Sequence, residues 1–205
     1  PISTYTNGID EIFLNYDFAK HINKNDRKII LYAGNIGDGQ GLHHILPSLG
    51  KKLESDVEIM IIGDGGRKQD LINEIQKQKC KNISVIPPVR RQELLKYYQK
   101  CDVLILHLND MEAFEEEIPS KIFEYASTGK PIIAGVKGFA ERFILDNLNN
   151  CQVFDPCDVE SCLNAYRSLS MENVDRTQFN QKYSRVNIMS KMSRDILNQR
   201  SENID

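Results

Sequence analysis

The sequence predicts an α/β domain built on a doubly wound, mainly parallel sheet with helices on both faces. Three observations predict it. Short apolar runs such as "KIILYAG", "VEIMIIG" and "DVLILHL" are continuous rather than alternating, as strands covered on both faces are. Segments with helical spacing fall between consecutive runs, and repeated strand–helix alternation with right-handed crossovers gives this layered architecture. The chain has 205 residues, 40% of them hydrophobic and 27% charged, enough apolar material for one large core.

Taken in order, strands are expected near residues 28–34, 57–62, 82–86, 102–107, 131–134 and 151–154. "GLHHILPSLGKKL" follows the first as a helix whose middle is weakened by Pro47 and Gly50. "RKQDLINEIQKQ", "RRQELLKYYQKC", "SKIFEYAST", "FAERFILDNL" and "DVESCLNAYRSL" follow the next five. The ends depart from the alternation. "PISTYTNGIDEIFLNY" contains the turn dipeptide Asn-Gly and reads as a linker, assigned to residues 1–12, with the ligand-binding domain at 13–170. Residues 171–205 are polar but carry Phe179, Tyr183, Val186, Met189, Met192 and Ile196 at helical spacing, a stripe that needs a partner surface.

The bulk composition excludes several function classes. A net charge of -3 provides no general pull toward nucleic acid or an acidic membrane, and no nucleic-acid partner is expected. No apolar run approaches the roughly 20 residues of a membrane span, and no signal peptide is visible. Pro1 rather than Met leaves open whether the chain is an excised piece of something longer. The five cysteines are odd in number and form no CxxC pair, so they are expected to be reduced thiols without a ligand role, in a cytoplasmic setting. Asp-x-Asp, the usual short carboxylate pair for a divalent cation on a diphosphate, is absent, as are HExxH and GxSxG. No metal and no cofactor are expected.

Sheets of this kind bind ligands at the carboxyl ends of their strands, so the loops there are where chemistry is sought. The first strand runs into "AGNIGDGQGL", with Gly34, Gly37, Gly39 and Gly41 in eight residues. Such a loop before a helix is either a phosphate cradle, centred on Gly37, Asp38 and Gly39, or a flexible surface turn. "GDGGRK" after the second strand misses the dinucleotide fingerprint because Lys68 stands where the last glycine belongs, and it reads as a tight turn. "PPVRR" after the third presents Val89, Arg90 and Arg91, for a base and a phosphate or as an exposed basic helix start. In the fourth loop, "EEEIPSKIFEYASTGKPIIAG", Pro119 suits a first helical turn and places Ser120 and Lys121 at the amino end. A lysine there opposes the helix dipole unless an anion is near. Glu124 lies one turn on, on the same face. Lys121 and Glu124 are either hands for a phosphate and a ribose or a surface ion pair. Of the four histidines, His21 lies in the polar approach segment, His43 and His44 start a helix, and His107 ends the fourth strand. The His43–His44 pair reads as a solvated helix start, and catalysis is expected of none of the four.

In this order and spacing, "TNGID", "LYAGNIGDGQGL", "IIGDGG", "CDVLILHL", "IPSKIFEYASTGKPIIAG" and "GFAERFI" resemble the carboxyl-terminal, donor-binding domain of family-four glycosyltransferases of the GT-B fold. The resemblance covers about residues 6–170. Within the family, the Pro-Ser-Lys form resembles bacterial amino-deoxysugar transferases of surface-polysaccharide synthesis, such as L-fucosamine transferases. The resemblance implies a Rossmann-like domain forming one half of a GT-B fold, with extra C-terminal helices packing toward a missing N-terminal acceptor domain. It implies a nucleotide-diphosphate sugar, UDP-linked by default, and a retaining transfer at the cytoplasmic face of the inner membrane. The family's Glu, seven residues, Glu falls on Glu116 and Glu124, giving Glu116 the catalytic position near the sugar and Glu124 the ribose; Glu115 or Glu117 fits the first place nearly as well. Glu141 matches the acid of the following block and joins the donor-binding set. Relatives with Arg and Lys in the first glycine loop have Asn35 and Gln40 as counterparts here, which shifts the work on the diphosphate to Lys121, Arg90 and the loop backbone. Two other functions share parts of this pattern: a sugar-nucleotide epimerase of GT-B architecture, which needs catalytic acids and a His in the cleft, and a non-catalytic nucleotide-binding module.

Overall fold

Six strands, Lys28–Asn35 (β1), Val57–Asp64 (β2), Ile83–Ile86 (β3), Val103–His107 (β4), Ile132–Gly135 (β5) and Cys151–Phe154 (β6), form one sheet in the order β3-β2-β1-β4-β5-β6. Every neighbouring pair is parallel. The computed structural model describes residues 5–19 and 27–201; His21, the first four residues of the expected linker and the last four of the expected tail lie outside them. Helices Glu11–Leu14 (α1), Leu42–Lys52 (α2), Lys68–Lys77 (α3), Arg91–Lys100 (α4), Lys121–Ser127 (α5), Gly138–Asn147 (α6), Val159–Ser168 (α7), Thr177–Lys182 (α8) and Arg185–Ser201 (α9) complete the described chain, with short 3-10 turns at Asp38–Gln40 and Glu112–Phe114. The six expected strands and the six expected crossover helices are all present.

The continuous apolar runs follow from burial on two faces. In β1, Ile30 and Tyr32 face α2, α3 and α7, packing with Leu46, Leu71 and Leu163. Ile29, Leu31 and Ala33 face the other way, onto Tyr98 of α4, Phe123 and Tyr125 of α5 and Ile144 of α6. Both sets are buried, so period-two alternation is invisible in the sequence. α2 runs through Pro47 without a break. Burial of Leu42, Ile45, Leu46 and Leu49 along its inner face offsets the hydrogen bond that Pro47 cannot donate.

The polar tail differs from expectation in one respect. Phe179 and Tyr183 do not face an absent partner; they are buried in this domain, in an aromatic cluster with Phe123 and Phe143. The stripe is interrupted because Tyr183 O accepts from Ile9 N at 2.8 Å and Arg185 N donates to Ile9 O at 2.9 Å, which ends α8 and starts α9. Beyond that break, Val186, Met189 and Ile196 stay exposed. The same contact draws the N-terminal segment in: Ile9 and Phe13 are buried in the core. Among the described residues, no helix is long and apolar enough to cross a membrane. All five cysteines are free thiols, and burial pushes those of Cys101 and Cys162 up to about 12.

Candidate functional site

The chain builds β1, β2 and β3 outward on one side, then returns to place β4 on the other side of β1. Ligands bind in the crevice at such a reversal. Here the crevice has a local cause. β1 and β2 stay paired to Asn35 and Asp64, whereas the register pairs of β1 and β4 are confined to Ile30↔Val103 and Leu31↔Leu104. Beyond Leu31 the two strands part. The buried Tyr125 hydroxyl occupies the fork, accepting from Ala33 N at 2.9 Å and facing Ala33 O at 3.3 Å. It satisfies backbone groups that would otherwise be orphaned, and it fixes α5 to the end of β1.

A cleft of about 290 Å3 opens at these strand ends. Ile62, Pro88, Val89 and Leu94 give it an apolar wall, the backbone of Gly34 and Gly63 a floor, and Asn35, Asp64 and Lys121 its polar groups. Lys121 Nζ donates to Glu124 Oε2 at 2.9 Å, one helical turn away. The Tyr98 hydroxyl donates to the same oxygen at 3.3 Å, and Arg91 lies 3.9 Å from Glu124 Oε1. Burial, with Tyr125 and Glu124 beside it, drives the Tyr98 phenol well above its ordinary range, so it remains a proton donor. Arg91 also pairs with Asp10, which pairs in turn with Arg185. Lys121 and Glu124 therefore form an ion pair, and its Lys121 end lines the cleft.

The backbone of the glycine loop is held by neutral groups. Gln40 Oε1 accepts from Asn35 Nδ2 at 2.9 Å and from Gly37 N at 3.3 Å. Asn35 and Gln40, expected to replace two cations, bond to each other. The Asp38 carboxylate is taken by Arg67 at 2.9 Å, and Gly39 lies under the Phe114 ring, where a Cβ would come within 2.8 Å of Cζ. From β4, His107 Nδ1 reaches Gln40 O at 2.7 Å, Asn109 N donates to Gly39 O at 2.7 Å, and Asn109 Nδ2 donates to Asp38 O at 3.1 Å.

The other expected residues are spread around this centre. Arg90 N-caps α4 but lies in a surface recess with Gln92, Lys96 and Tyr97, away from the cleft that Val89 lines. Ser120 N-caps α5, is exposed, and uses no side-chain capping bond. Glu115, Glu116 and Glu117 are exposed on the loop before α5. Glu115 O accepts from Phe139 N at 2.7 Å, and Gly138, at φ 65°, leaves room where a Cβ would stand 2.2 Å from that oxygen. The acidic loop is thereby docked on the start of α6, whose first turn carries the half-exposed Glu141. Tyr125, Asn109 and the loop-holding role of His107 are the residues that sequence reasoning missed. The available signal was position alone: a histidine and an asparagine at the end of an apolar strand.

Residues 15–185 match the family model described as glycosyl transferases group 1. An Escherichia coli glycosyl transferase named for colanic acid biosynthesis, WcaI, is 26% identical over 57% of this chain and 28% of its own length. The Salmonella typhimurium lipopolysaccharide 1,2-N-acetylglucosaminetransferase is 23% identical over 86% of this chain and 48% of its own length. The chain thus spans about half or less of these relatives. Among solved structures, Anabaena HepE in complex with UDP and glucose superposes with a TM-score of 0.68 at 16% identity, covering 94% of this chain and 55% of that one. Sucrose-phosphate synthase from Thermosynechococcus elongatus gives 0.70 at 15% identity, covering 98% of this chain and 53% of that one. At such identities these superpositions speak to the fold, a Rossmann-like parallel sheet of the GT-B kind. The family match extends over most of the sheet and its crossover helices, and on that basis the chain belongs to the group 1 glycosyl transferases.

Proposed function

We propose that this chain is the donor-binding half of a retaining glycosyltransferase, holding a nucleotide-diphosphate sugar, UDP-linked, for transfer to a polysaccharide or lipid-linked acceptor. The observation that carries the proposal is Lys121, lining a cleft at the reversal of strand order and paired with Glu124 one turn on. The apolar wall of Ile62, Pro88, Val89 and Leu94 suits a flat base. Glu124, oriented by Tyr98 and Lys121, accepts ribose hydroxyls, and Lys121 and the glycine loop meet the diphosphate. Names among the relatives support the reading: HepE is described with UDP and glucose, and the curated relatives are named for colanic acid and lipopolysaccharide synthesis.

In the transfer, the bond from the anomeric carbon to the diphosphate oxygen breaks, and the leaving nucleotide takes the electron pair. The acceptor oxygen bonds to the same carbon on the same face and passes its proton to the departing diphosphate oxygen. A fixed cation and aimed N–H groups beside the leaving phosphate stabilise charge where it develops. Glu116, or its neighbour Glu115 or Glu117, takes the sugar side, with Glu141 behind it. Binding without a metal ion is part of the proposal, as are an acceptor domain outside this chain and a place at the cytoplasmic face of the membrane. Isothermal titration with UDP and a panel of UDP-sugars, in EDTA and again in Mg2+, tests it. Saturable binding in EDTA is expected. Binding only with Mg2+, or no binding of any nucleotide, overturns it.

A further inference from the structure

We propose that His107 and Asn109, at the carboxyl end of β4, form a clasp that sets the posture of the glycine loop toward the donor diphosphate, with His107 as a positioning residue. The inference rests on the donor-site reading above and assigns it two residues that the family resemblance does not.

Three consecutive loop carbonyls, those of Asp38, Gly39 and Gln40, are gripped from β4: by Asn109 Nδ2 at 3.1 Å, Asn109 N at 2.7 Å and His107 Nδ1 at 2.7 Å. Each atom in the clasp has its role fixed by a second contact. His107 Nε2 accepts from Cys157 N at 2.9 Å, so that nitrogen is bare and the proton sits on Nδ1, aimed at Gln40 O. Asn109 Oδ1 accepts from Asp110 N at 3.0 Å and from the Cys157 thiol at 3.2 Å, so its amide nitrogen must point at Asp38. The fold makes room for the histidine. His107 is fully buried and pairs in register with Gly135, where a Cβ would stand 2.3 Å from His107 Cδ2. In a trans peptide the N–H points opposite to the carbonyl, so drawing the carbonyls toward β4 turns the loop's N–H groups away from it. Among the described residues, the N–H group of Gly39, which shares its peptide with the gripped Asp38 carbonyl, has no acceptor, whereas those of Gln40 and Gly41 are taken by Gly37 O and Asp38 O and that of Gly37 by Gln40 Oε1. A ligand phosphate gains contacts only if the loop keeps this posture, so the clasp acts through the loop and touches no ligand itself.

The test is titration of the chain with UDP and with uridine, for wild type and for N109D, H107L and H107N. N109D is isosteric but turns an acceptor toward the Asp38 carbonyl, and H107L removes the donor to Gln40. Both are expected to weaken UDP at least tenfold and to leave uridine within twofold, because uridine carries no phosphate. H107N, whose amide keeps a donor toward Gln40, is expected to recover most of the UDP affinity. Asn109 is only half-buried, so N109D keeps the test decisive should H107L fail to fold. UDP affinity within twofold of wild type in folded N109D overturns the clasp, as does an equal loss for UDP and uridine. Failure of the wild-type chain to bind UDP is a separate outcome, and it overturns the donor-site reading together with the clasp that depends on it.

Discussion

The two sides of the cleft are built from different physics. On the α5 side, Lys121, Glu124, Arg91 and Asp10 hold one another by charge. On the β1 side, the glycine loop is set by uncharged amides, carbonyls and a neutral imidazole. Charged contacts at half-exposed positions are weakened by salt and tolerate small displacements. Neutral hydrogen bonds around a buried ring are indifferent to salt, but each depends on geometry and on one protonation state. One cleft therefore has a wall that responds to ionic strength and a wall that responds to acid.

The largest expected effect is on the acid-sensitive wall. Burial, the first cause, lowers the His107 pKa from its ordinary 6.5 to about 4; the Gln40 carbonyl opposes the shift and His44 adds to it. The unfolded chain thus binds the proton first as pH falls. The stabilisation is complete above about 6.5, declines through the window between the two values, and is gone near 4, a loss of about 3 kcal/mol. Urea denaturation from pH 7 to pH 4 is expected to show a steeper decline for wild type than for H107N. Equal slopes would mean that the ring titrates normally and that the contrast between the walls is false.

Glu124→Ala comes next. A hydrogen bond to a charged group is worth about 1.5–3 kcal/mol, so UDP and uridine should both weaken, roughly ten- to a hundredfold, because both carry ribose. Were Glu124 only a surface partner of Lys121, both ligands would bind the variant as they bind wild type. Lys121→Ala sharpens the comparison further: UDP should weaken by about tenfold, uridine hardly at all, and the deficit should shrink in 1 M salt. A deficit unchanged by salt would remove Lys121 from the charge-held wall. The smallest effect is expected for Arg67→Gln, which breaks the exposed contact with Asp38. With three loop carbonyls still gripped from β4, UDP affinity should remain within about twofold, and a larger loss would show that charge shapes this side as well.

How much of this was legible in the sequence depends on the distance between partners along the chain. The strands were legible because burial on both faces leaves unbroken apolar runs, and Lys121 with Glu124 because a helix sets them on one face over three residues. Gln40 and His107 are 67 residues apart, and Asp38 and Asn109 are 71. Nothing local announces such pairs, since they arise only when parallel strands bring their carboxyl ends together. Phe179 and Tyr183 were misassigned for a related reason. Helical spacing reveals an apolar stripe but not where it is cut, and the cut is made by Ile9, far away in sequence.

Gly135 has a consequence for how this chain can vary. A Cβ there would stand 2.3 Å from the His107 ring and 2.6 Å from that of Phe154, so the hydrogen atom at position 135 and the imidazole at position 107 are two halves of one inherited choice. A side chain at 135 meets two rings at once, so trimming the His107 ring relieves the tighter contact and leaves that with Phe154. The pair should therefore be coupled: Gly135→Ala is expected to be costly in the wild-type background, by about 1–3 kcal/mol, and less costly, with the Phe154 contact remaining, once His107 is already alanine, a coupling that a double-mutant cycle measures directly.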